Sequence, residues 1–354
     1  MIENKLAYIL LYPFTLLYGL VINTRNFLFD SGMLKATKFS VPVISIGNLS
    51  IGGAGKTPHV EYMIQQLIPF LEVGILSRGY KRKTKGFMLV QTGHSALEAG
   101  DEPLMFKRKY SDVAVAVCES RTLAVPMIMK YYPDIQVILM DDGFQHRGIL
   151  PGLNILLTPF GKPFTRDALL PSGRLREYPS AYSRADIIII TKCPVMADEN
   201  MLLSLKNEIN PLEHQQLFFT RYRYLPVYNF YLPKDKLSLH REMDIILISA
   251  IANTQYLLDY LEGMVASVHE MNFEDHHIFS ERNIDYLHHI YKSRETSNKI
   301  ILTTDKDAMR LDMWRNKMYD LGLPVYILPI EVEFLTDEGV FLQSVKKFLL
   351  DFKV

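Results

Sequence analysis

The sequence predicts an α/β protein. It should have a P-loop NTPase-like, mostly parallel sheet flanked by helices, a second and smaller α/β domain, and an N-terminal membrane-associated helix. Three observations predict this. Short β-branched apolar runs alternate with helical patterns, as parallel βα units require. One junction, VPVISIGNLSIGGAGKTPHV at 41–60, carries a glycine loop followed by Lys-Thr. A charge-free apolar stretch, LAYILLYPFTLLYGLVINT at 6–24, precedes it.

Size and composition set the frame. A chain of 354 residues can bury a large core and suggests two domains. An apolar content of 48% with 22% charged residues is that of a globular protein. The formal net charge is +0, which removes the electrostatic case for bulk nucleic-acid binding. The two cysteines, Cys118 and Cys193, follow apolar runs and read as buried thiols in a reducing compartment, not as a disulfide framework. No Cys/His spacing suggests zinc, and there is no internal repeat.

In chain order, the stretch 6–24 lies between Lys5 and Arg25. It lacks a good signal-peptidase site. Its length is marginal for a spanning helix, and Pro13 and Gly19 interrupt it. A helix lying in the membrane interface fits better, with Tyr8, Tyr12 and Tyr18 at headgroup level. A core helix of a soluble protein is the alternative.

Val41 to Ile46 reads as a buried strand leading into Gly47, Gly52, Gly53 and Gly55. Glycines let backbone N–H groups converge on phosphate, and the following helix start adds its dipole. Lys56 suits the β- and γ-phosphates, Thr57 suits Mg²⁺, and Pro58 suits a first helical turn. The strict pattern has glycine where this chain has Ser50. A glycine-rich βα turn with an incidental Lys-Thr is the plain alternative.

A helix at roughly 58–70 and a strand at Glu72 to Ser77 follow, then the basic loop SRGYKRKTKG with Arg78, Lys81, Arg82, Lys83 and Lys85. The carboxyl edge of an open α/β sheet is where ligands sit, although such a loop can also be merely solvated. GDEP at 100–103 opens a helix, with Asp101 read by default as its cap. After a strand at Val113 to Val117 come Glu119 and Arg121. VILMDD at 137–142 is a buried run closed by two carboxylates, the expected metal-linked motif of a P-loop protein. Asp141 and Asp142 would point opposite ways if the strand continued. His146 and Arg147 of GFQHRG lie near the same edge.

Strands are read at Leu153 to Leu157 and Asp186 to Thr191, with a loop at 169–186 whose Arg174, Arg176 and Glu177 can face phosphates. Thr191-Lys192 is a weak base-reading signal, since no Asp follows two residues on. Gln216 to Tyr224 and Val227 to Leu232 read as a hinge or two-stranded linker. A second α/β region follows, with strands near 245–249, 267–273, 300–304 and 325–330 and a helix at 337–349. The expected organisation is 1–30 as membrane-contact helix, 31–215 as P-loop core, 216–235 as linker and 236–354 as smaller domain. FEDHHIFS at 273–280 puts Asp275, His276 and His277 at a strand end, and TTDKDAMRL at 303–311 reads as a helix start near Asp305 or Asp307.

These motifs resemble a known family. GNLSIGGAGKTP, SRGY, GDEP, DDGFQHR, LLPSGRLRE, ITK, FEDHH and TTDKD occur in the order found in tetraacyldisaccharide 4′-kinases, over nearly the whole chain. The Ser50 variant is what this family's loop looks like. The resemblance implies an ATP- and Mg²⁺-dependent lipid kinase at the cytoplasmic face of the inner membrane, acting as a monomer and binding no nucleic acid. It would phosphorylate the 4′-hydroxyl of tetraacyldisaccharide 1-phosphate to give lipid IVA. It implies that Ser50, Ile51, Gly52, Gly53, Ala54, Gly55, Lys56 and Thr57 hold ATP, with Arg121 and Arg176 at the phosphates and His146 near them. It implies that Thr57, Asp141, Asp142 and Glu177 attend the metal, and that Asp101 is the base with His276 as its partner. Domain closure would then bring His276 to Asp101. A soluble P-loop enzyme and a GTPase-like switch are the rival readings.

Overall fold

The computed structural model describes residues 5–353, and of residues 5–9 the backbone alone. Residues 1–4 of the expected membrane helix, and the Tyr8 side chain, lie outside the described residues.

The first helix, Lys5–Asp30, runs unbroken through Pro13 and Gly19, contrary to expectation. Its burial is inverted relative to an ordinary surface helix. Thr15, Tyr18, Gly19, Arg25 and Asn26 face the protein, while Leu10, Phe14, Leu16, Leu17, Leu20 and Val21 are exposed. Polar bonds fix the inner face: Thr15 to Ser172 at 2.6 Å, Tyr18 Oη to the Arg176 carbonyl at 2.9 Å, and Asn26 Nδ2 to Glu177 at 2.8 Å. Gly19 permits the approach, since a Cβ there would lie 2.3 Å from Tyr178 Oη. Among the described residues no helix is long and apolar enough to cross a membrane.

The larger sheet uses β1 (Val43–Asn48), β2 (Val73–Ser77), β3 (Met88–Leu89), β4 (Ala114–Val117), β5 (Val137–Asp141), β6 (Leu153–Pro159), β7 (Ile187–Thr191) and β8 (Gln216–Tyr224). The smaller uses β9 (Val227–Asn229), β10 (Lys236–Leu237), β11 (Asp244–Ser249), β12 (Ser267–Asn272), β13 (Lys299–Thr304) and β14 (Val325–Leu328). A last strand, β15 (Ile330–Phe334), returns to the larger sheet. The orders are β15-β8-β7-β6-β1-β5-β2-β4-β3 and β10-β9-β14-β13-β11-β12. In the larger sheet only the edge strands β15 and β3 run antiparallel. Apolar runs such as VILMD and IIIIT are buried along their full length, as a sheet covered on both faces requires.

Several elements differ from the sequence reading. β1 is Val43–Asn48, because the strand extends into Gly47 and Asn48 and not back to Val41. The helix after the glycine loop begins at Lys56, two residues before Pro58. The two strands expected to form a linker do not pair with each other. β8 lies between β7 and β15 in the larger sheet, and β9 between β14 and β10 in the smaller. The run expected at 325–330 splits at Pro329, with each half in a different sheet. The final helix, Glu338–Asp351, then packs on the larger lobe through Phe341 and Val345. Cys118 and Cys193 are free and buried, as read.

One face of the larger sheet is covered by helices Lys56–Leu67, Asp101–Lys109 and Glu338–Asp351, and the other by Arg121–Tyr131. Phe341 is the keystone of the returning helix, with ring centroids 4.8 Å from Phe334, 5.5 Å from Phe218 and 6.1 Å from Tyr62. Phe341→Ala should cost about 3–5 kcal/mol of stability. Urea unfolding measures this, and a loss below about 1 kcal/mol would show that the returning helix contributes little to the lobe.

Candidate active site

The site is assembled at the carboxyl ends of β1 and β5. These strands are parallel neighbours, with Ile46 opposite Asp141, so the glycine loop and the acidic pair emerge side by side. The chain crosses to β6 on the other side of β1, and such a reversal of strand order opens a ligand crevice.

The loop is held at several points. Ser50 pairs with Leu175 in an antiparallel bridge, and its φ is not positive, so glycine is not required there. The Ile51 N–H donates to the Arg174 carbonyl at 2.7 Å, and Thr191 Oγ1 to the Ala54 carbonyl at 2.8 Å. Gly55 has φ 88, and a Cβ on it would sit 2.6 Å from Tyr222 Oη. This left-handed turn aims the first amides of helix Lys56–Leu67 outward, toward any bound anion.

Lys56 and the acidic pair form one array. Lys56 Nζ donates to Asn48 Oδ1 at 3.0 Å and pairs with Asp142 at 3.4 Å. Arg176 grips Asp142 with two nitrogens, at 2.9 and 2.8 Å, and donates to Asn48 Oδ1 at 2.6 Å. The expectation of two carboxylates alternating along a strand is revised: β5 ends at Asp141, and Asp142 turns left-handed at φ 50. Their environments differ sharply. Burial would raise the Asp142 carboxyl, but Lys56, Arg176 and Arg121 outweigh it and hold it well below the usual range. Asp141 is 1% exposed, receives one hydrogen bond from Ser77 Oγ at 3.0 Å, and has an orphaned Oδ1. Burial first, then Glu102 and Asp142, push it up to about 7.

That orphan oxygen is the test of fit for Mg²⁺. A buried carboxylate atom with no donor, beside a Lys-Thr loop, suits a hard cation that takes few protein ligands and completes its shell with phosphate and water. Among the described residues no group of three His, Cys, Asp or Glu could cage a metal by itself. Thr57 Oγ1 donates to Glu102 Oε1 at 2.9 Å. Glu177 does not join this group. It is fully buried, its oxygens taken by Arg184 at 3.0 and 3.1 Å and by Asn26, so it anchors the first helix instead.

Arg121 is buried at the start of helix Arg121–Tyr131, with a long 3.4 Å bond to the Glu119 carbonyl and an unpartnered Nε. Burial lowers it to about 10, against the pull of Asp142 and Asp141. His146 is lowered to about 4 by burial and then by Arg121, Arg78 and Arg25. So many cations around one imidazole make a pocket suited to an anion. Of the other basic residues, Arg82 is committed to Glu119 at 2.6 Å, and Arg147 to Asp30 and the Asn26 carbonyl of the first helix.

At the other end, Asp101 is the first residue of helix Asp101–Lys109 and not its cap, which is Gly100. Its carboxylate instead spans the two lobes. Oδ2 lies 2.8 Å from His276 Nδ1 and 3.1 Å from Arg310 Nη1. Burial would raise Asp101, but Lys306, the His276 hydrogen bond and Arg310 hold it well below the usual range. His276 itself has φ 58, and its ring packs tilted against Tyr80, with centroids 4.8 Å apart. Lys81, Asp142, Lys192 and His276 all have positive φ, a concentration of local strain at one crevice.

The sequence reading missed Asn48, Glu102, Lys306 and Arg310. Lys306 and Arg310 are four apart, a helix-face spacing that marks two cations on one side. Lys192 also gains weight. Burial lowers its amine to about 8, it lies 4.6 Å over the Tyr256 ring, and its Nζ would touch a Cβ on Gly53 at 3.5 Å.

Comparison with known proteins shows what the chain is similar to. Residues 7–350 match the family described as LpxK, tetraacyldisaccharide-1-P 4′-kinase. The tetraacyldisaccharide 4′-kinase of Bacteroides thetaiotaomicron is 39% identical, over 93% of this chain and 89% of that protein. That of Flavobacterium johnsoniae is 37% identical, over 96% of each. A crystal structure of LpxK from Aquifex aeolicus in complex with ATP superposes with a TM-score of 0.74 at 30% identity, covering 97% of this chain and 99% of that one.

One residue under the loop carries a pH prediction. His59 Nδ1–H donates to the Gly55 carbonyl at 2.7 Å, and Nε2 faces Thr220 Oγ1 at 3.0 Å. Burial lowers its imidazole from 6.5 to about 4. Because the folded value lies below the unfolded one, stability is intact above pH ~6.5 and falls as pH drops toward 4, by up to about 3 kcal/mol. Urea unfolding of wild type and His59→Gln across this window should show the smaller acid loss in the variant. Equal losses would remove His59 from the account.

Proposed function

The chain belongs to the tetraacyldisaccharide-1-P 4′-kinase family, ATP-dependent kinases of lipid A biosynthesis, and from that premise we propose how its residues divide the reaction. The γ-phosphoryl group of ATP passes to the 4′-hydroxyl of tetraacyldisaccharide 1-phosphate, giving lipid IVA. The observation that carries the assignment is the join between the two ends of the site. Asp101 is followed directly by Glu102, whose carboxylate receives the Thr57 hydroxyl, so the proton acceptor stands one residue from the phosphate loop.

Residues 50–57 cradle the triphosphate. Lys56, Arg121 and Arg176 offset the charge that spreads over the transferring phosphoryl oxygens. Thr57 and Asp141 would hold Mg²⁺, which neutralises phosphate charge when bound. Asp142 keeps Lys56 and Arg176 in register. Arg78 and Arg25 complete the cationic wall around the His146 imidazole. Asp101 accepts the hydroxyl proton as the new P–O bond forms, and His276 orients it. A carboxylate gripped this firmly is a weak base, so the grip of His276 and Arg310 must slacken as the lobes adjust to substrate. We take residues 31–224, which include β8, with the returning 330–351 segment, as the catalytic lobe, and the smaller sheet as the lobe that moves.

We read the first helix as the membrane contact at the cytoplasmic face of the inner membrane, with the enzyme peripheral and monomeric. Its exposed Leu16, Leu17 and Leu20 support this, because a stripe of large apolar side chains facing outward needs a partner. The acyl chains can then stay in the bilayer while the sugar reaches the crevice.

Transfer of labelled phosphate from ATP to the disaccharide in micelles should fall about 10²–10⁴-fold in Asp101→Asn, with ATP binding retained. A variant as active as wild type would rule Asp101 out as base. Replacing Leu16, Leu17 and Leu20 together by Glu should release the protein from anionic vesicles on sedimentation. Unchanged pelleting, with ATP binding intact, would move the membrane contact elsewhere.

A further inference from the structure

The Asp101–His276 pair is only half of a longer chain. His276 Nε2 lies 3.1 Å from Lys306 Nζ. An ammonium has three donors and no acceptor, so Nε2 must be the acceptor there and carries no proton. The ring proton then sits on Nδ1 and is donated to Asp101. In this geometry the tautomer of His276 is set from behind, and Nδ1 donates to the Asp101 carboxylate.

Lys306 is well placed for this task. It is the second residue of helix Asp305–Leu311 after β13 and pairs with Glu102 at 3.2 Å and Asp275 at 3.6 Å. Burial would lower its amine, but Glu102, Asp101 and Asp275 raise it above the usual lysine range. The same helix sends Arg310 to Asp101, with Asp307 and the Ala250 carbonyl bracing Arg310 from behind. Tyr80 packs tilted against the imidazole, and Lys81 donates to the Asp275 carbonyl at 2.9 Å. Both ring nitrogens thus have partners, Nδ1 in Asp101 and Nε2 in Lys306 at 3.1 Å, with Asp275 Oδ1 farther from Nε2 at 3.8 Å.

We propose that Lys306 is a positioning residue that holds His276 in the Nδ1–H tautomer and so dedicates the imidazole to orienting Asp101. The proposal rests on Asp101 being the base. Its consequence is that Nε2 cannot take the substrate proton while Lys306 is in place. The proton leaving the 4′-hydroxyl stays on the Asp101 carboxyl until product departs.

The test is a long-range ¹H–¹⁵N correlation spectrum of the full-length protein, labelled at histidine nitrogens, with His276 assigned by its loss in His276→Gln. In wild type, Nδ1 should be pyrrole-like and Nε2 pyridine-like. In Lys306→Met, Nε2 loses its donor and should become protonated, with kcat falling roughly tenfold, the order expected for one charge-assisted hydrogen bond. A protonated Nε2 in wild type overturns the proposal, whether or not the variant folds. An unchanged His276 signature in folded Lys306→Met overturns it too. If Asp101→Asn keeps full transfer, the base reading falls and takes the catalytic purpose of Lys306 with it. If Asp101→Asn is dead but wild-type Nε2 carries a proton, the Lys306 assignment alone fails.

Discussion

Two adjacent carboxylates buried at the end of one strand are the constraint around which this molecule is arranged. Neither can be left alone in a poorly polarisable interior, and both cannot ionise freely side by side. The chain resolves this by unequal treatment. Asp142 leaves the strand through a left-handed turn and is saturated by Lys56 and Arg176. Asp141 stays in the strand with one serine donor and one oxygen unmet. The arrangement needs β1 next to β5, a glycine loop that brings Lys56 back over the strand ends, and a distant loop that delivers Arg176. Asn48, at the end of β1, binds both cations and so sets their spacing.

The same logic operates between the lobes. Asp101 and Glu102 are consecutive, yet they serve opposite partners. Asp101 is taken by His276 and Arg310, and Glu102 by Thr57 and Lys306. All the small-lobe members come from two short segments, the loop after β12 and the helix after β13. Because β12, β11, β13 and β14 are parallel, those segments emerge at one edge of the smaller sheet. Two mostly parallel sheets thus face each other carboxyl edge to carboxyl edge. β8 and β15 form an antiparallel pair on the larger sheet, and the chain passes to the smaller sheet after β8 and returns from it before β15.

Much of this was legible in the sequence, and the failures have physical causes. The glycine loop, the acidic strand end and the βα alternation are local patterns, so they could be read without tertiary context. Ser50 looked like a defect because the strict pattern was judged by residue type, whereas the backbone there is extended and accepts any side chain. Asp101 had the position of a cap, but burial and a cationic partner lobe claimed it. Glu177 sits beside Arg176 in sequence and on the opposite side of the loop in space, bound to Arg184. The strands at 216–235 read as a hinge or two-stranded linker, since sequence alone does not reveal that β15 arrives about a hundred residues later to pair with β8. Lys306 and Arg310 were hidden for the same reason, as their meaning depends on a carboxylate two hundred residues away.

The first helix carries the synthesis one step further. Its polar face bonds to Ser172, to the Arg176 carbonyl and to Glu177, and Arg25 reaches the Gln145 carbonyl. These contacts fall on the two loops that present Arg176 and His146 to the crevice. A helix that turns its apolar side outward is unfavourable in water, and the Glu177–Arg184–Asn26 cluster beneath it is buried charge that is costly to break. The helix is therefore fixed rigidly to the catalytic loops while its outer face stays unsatisfied. The inverted burial of this helix thus joins the loops that carry Arg176 and His146 to an outward-facing apolar side.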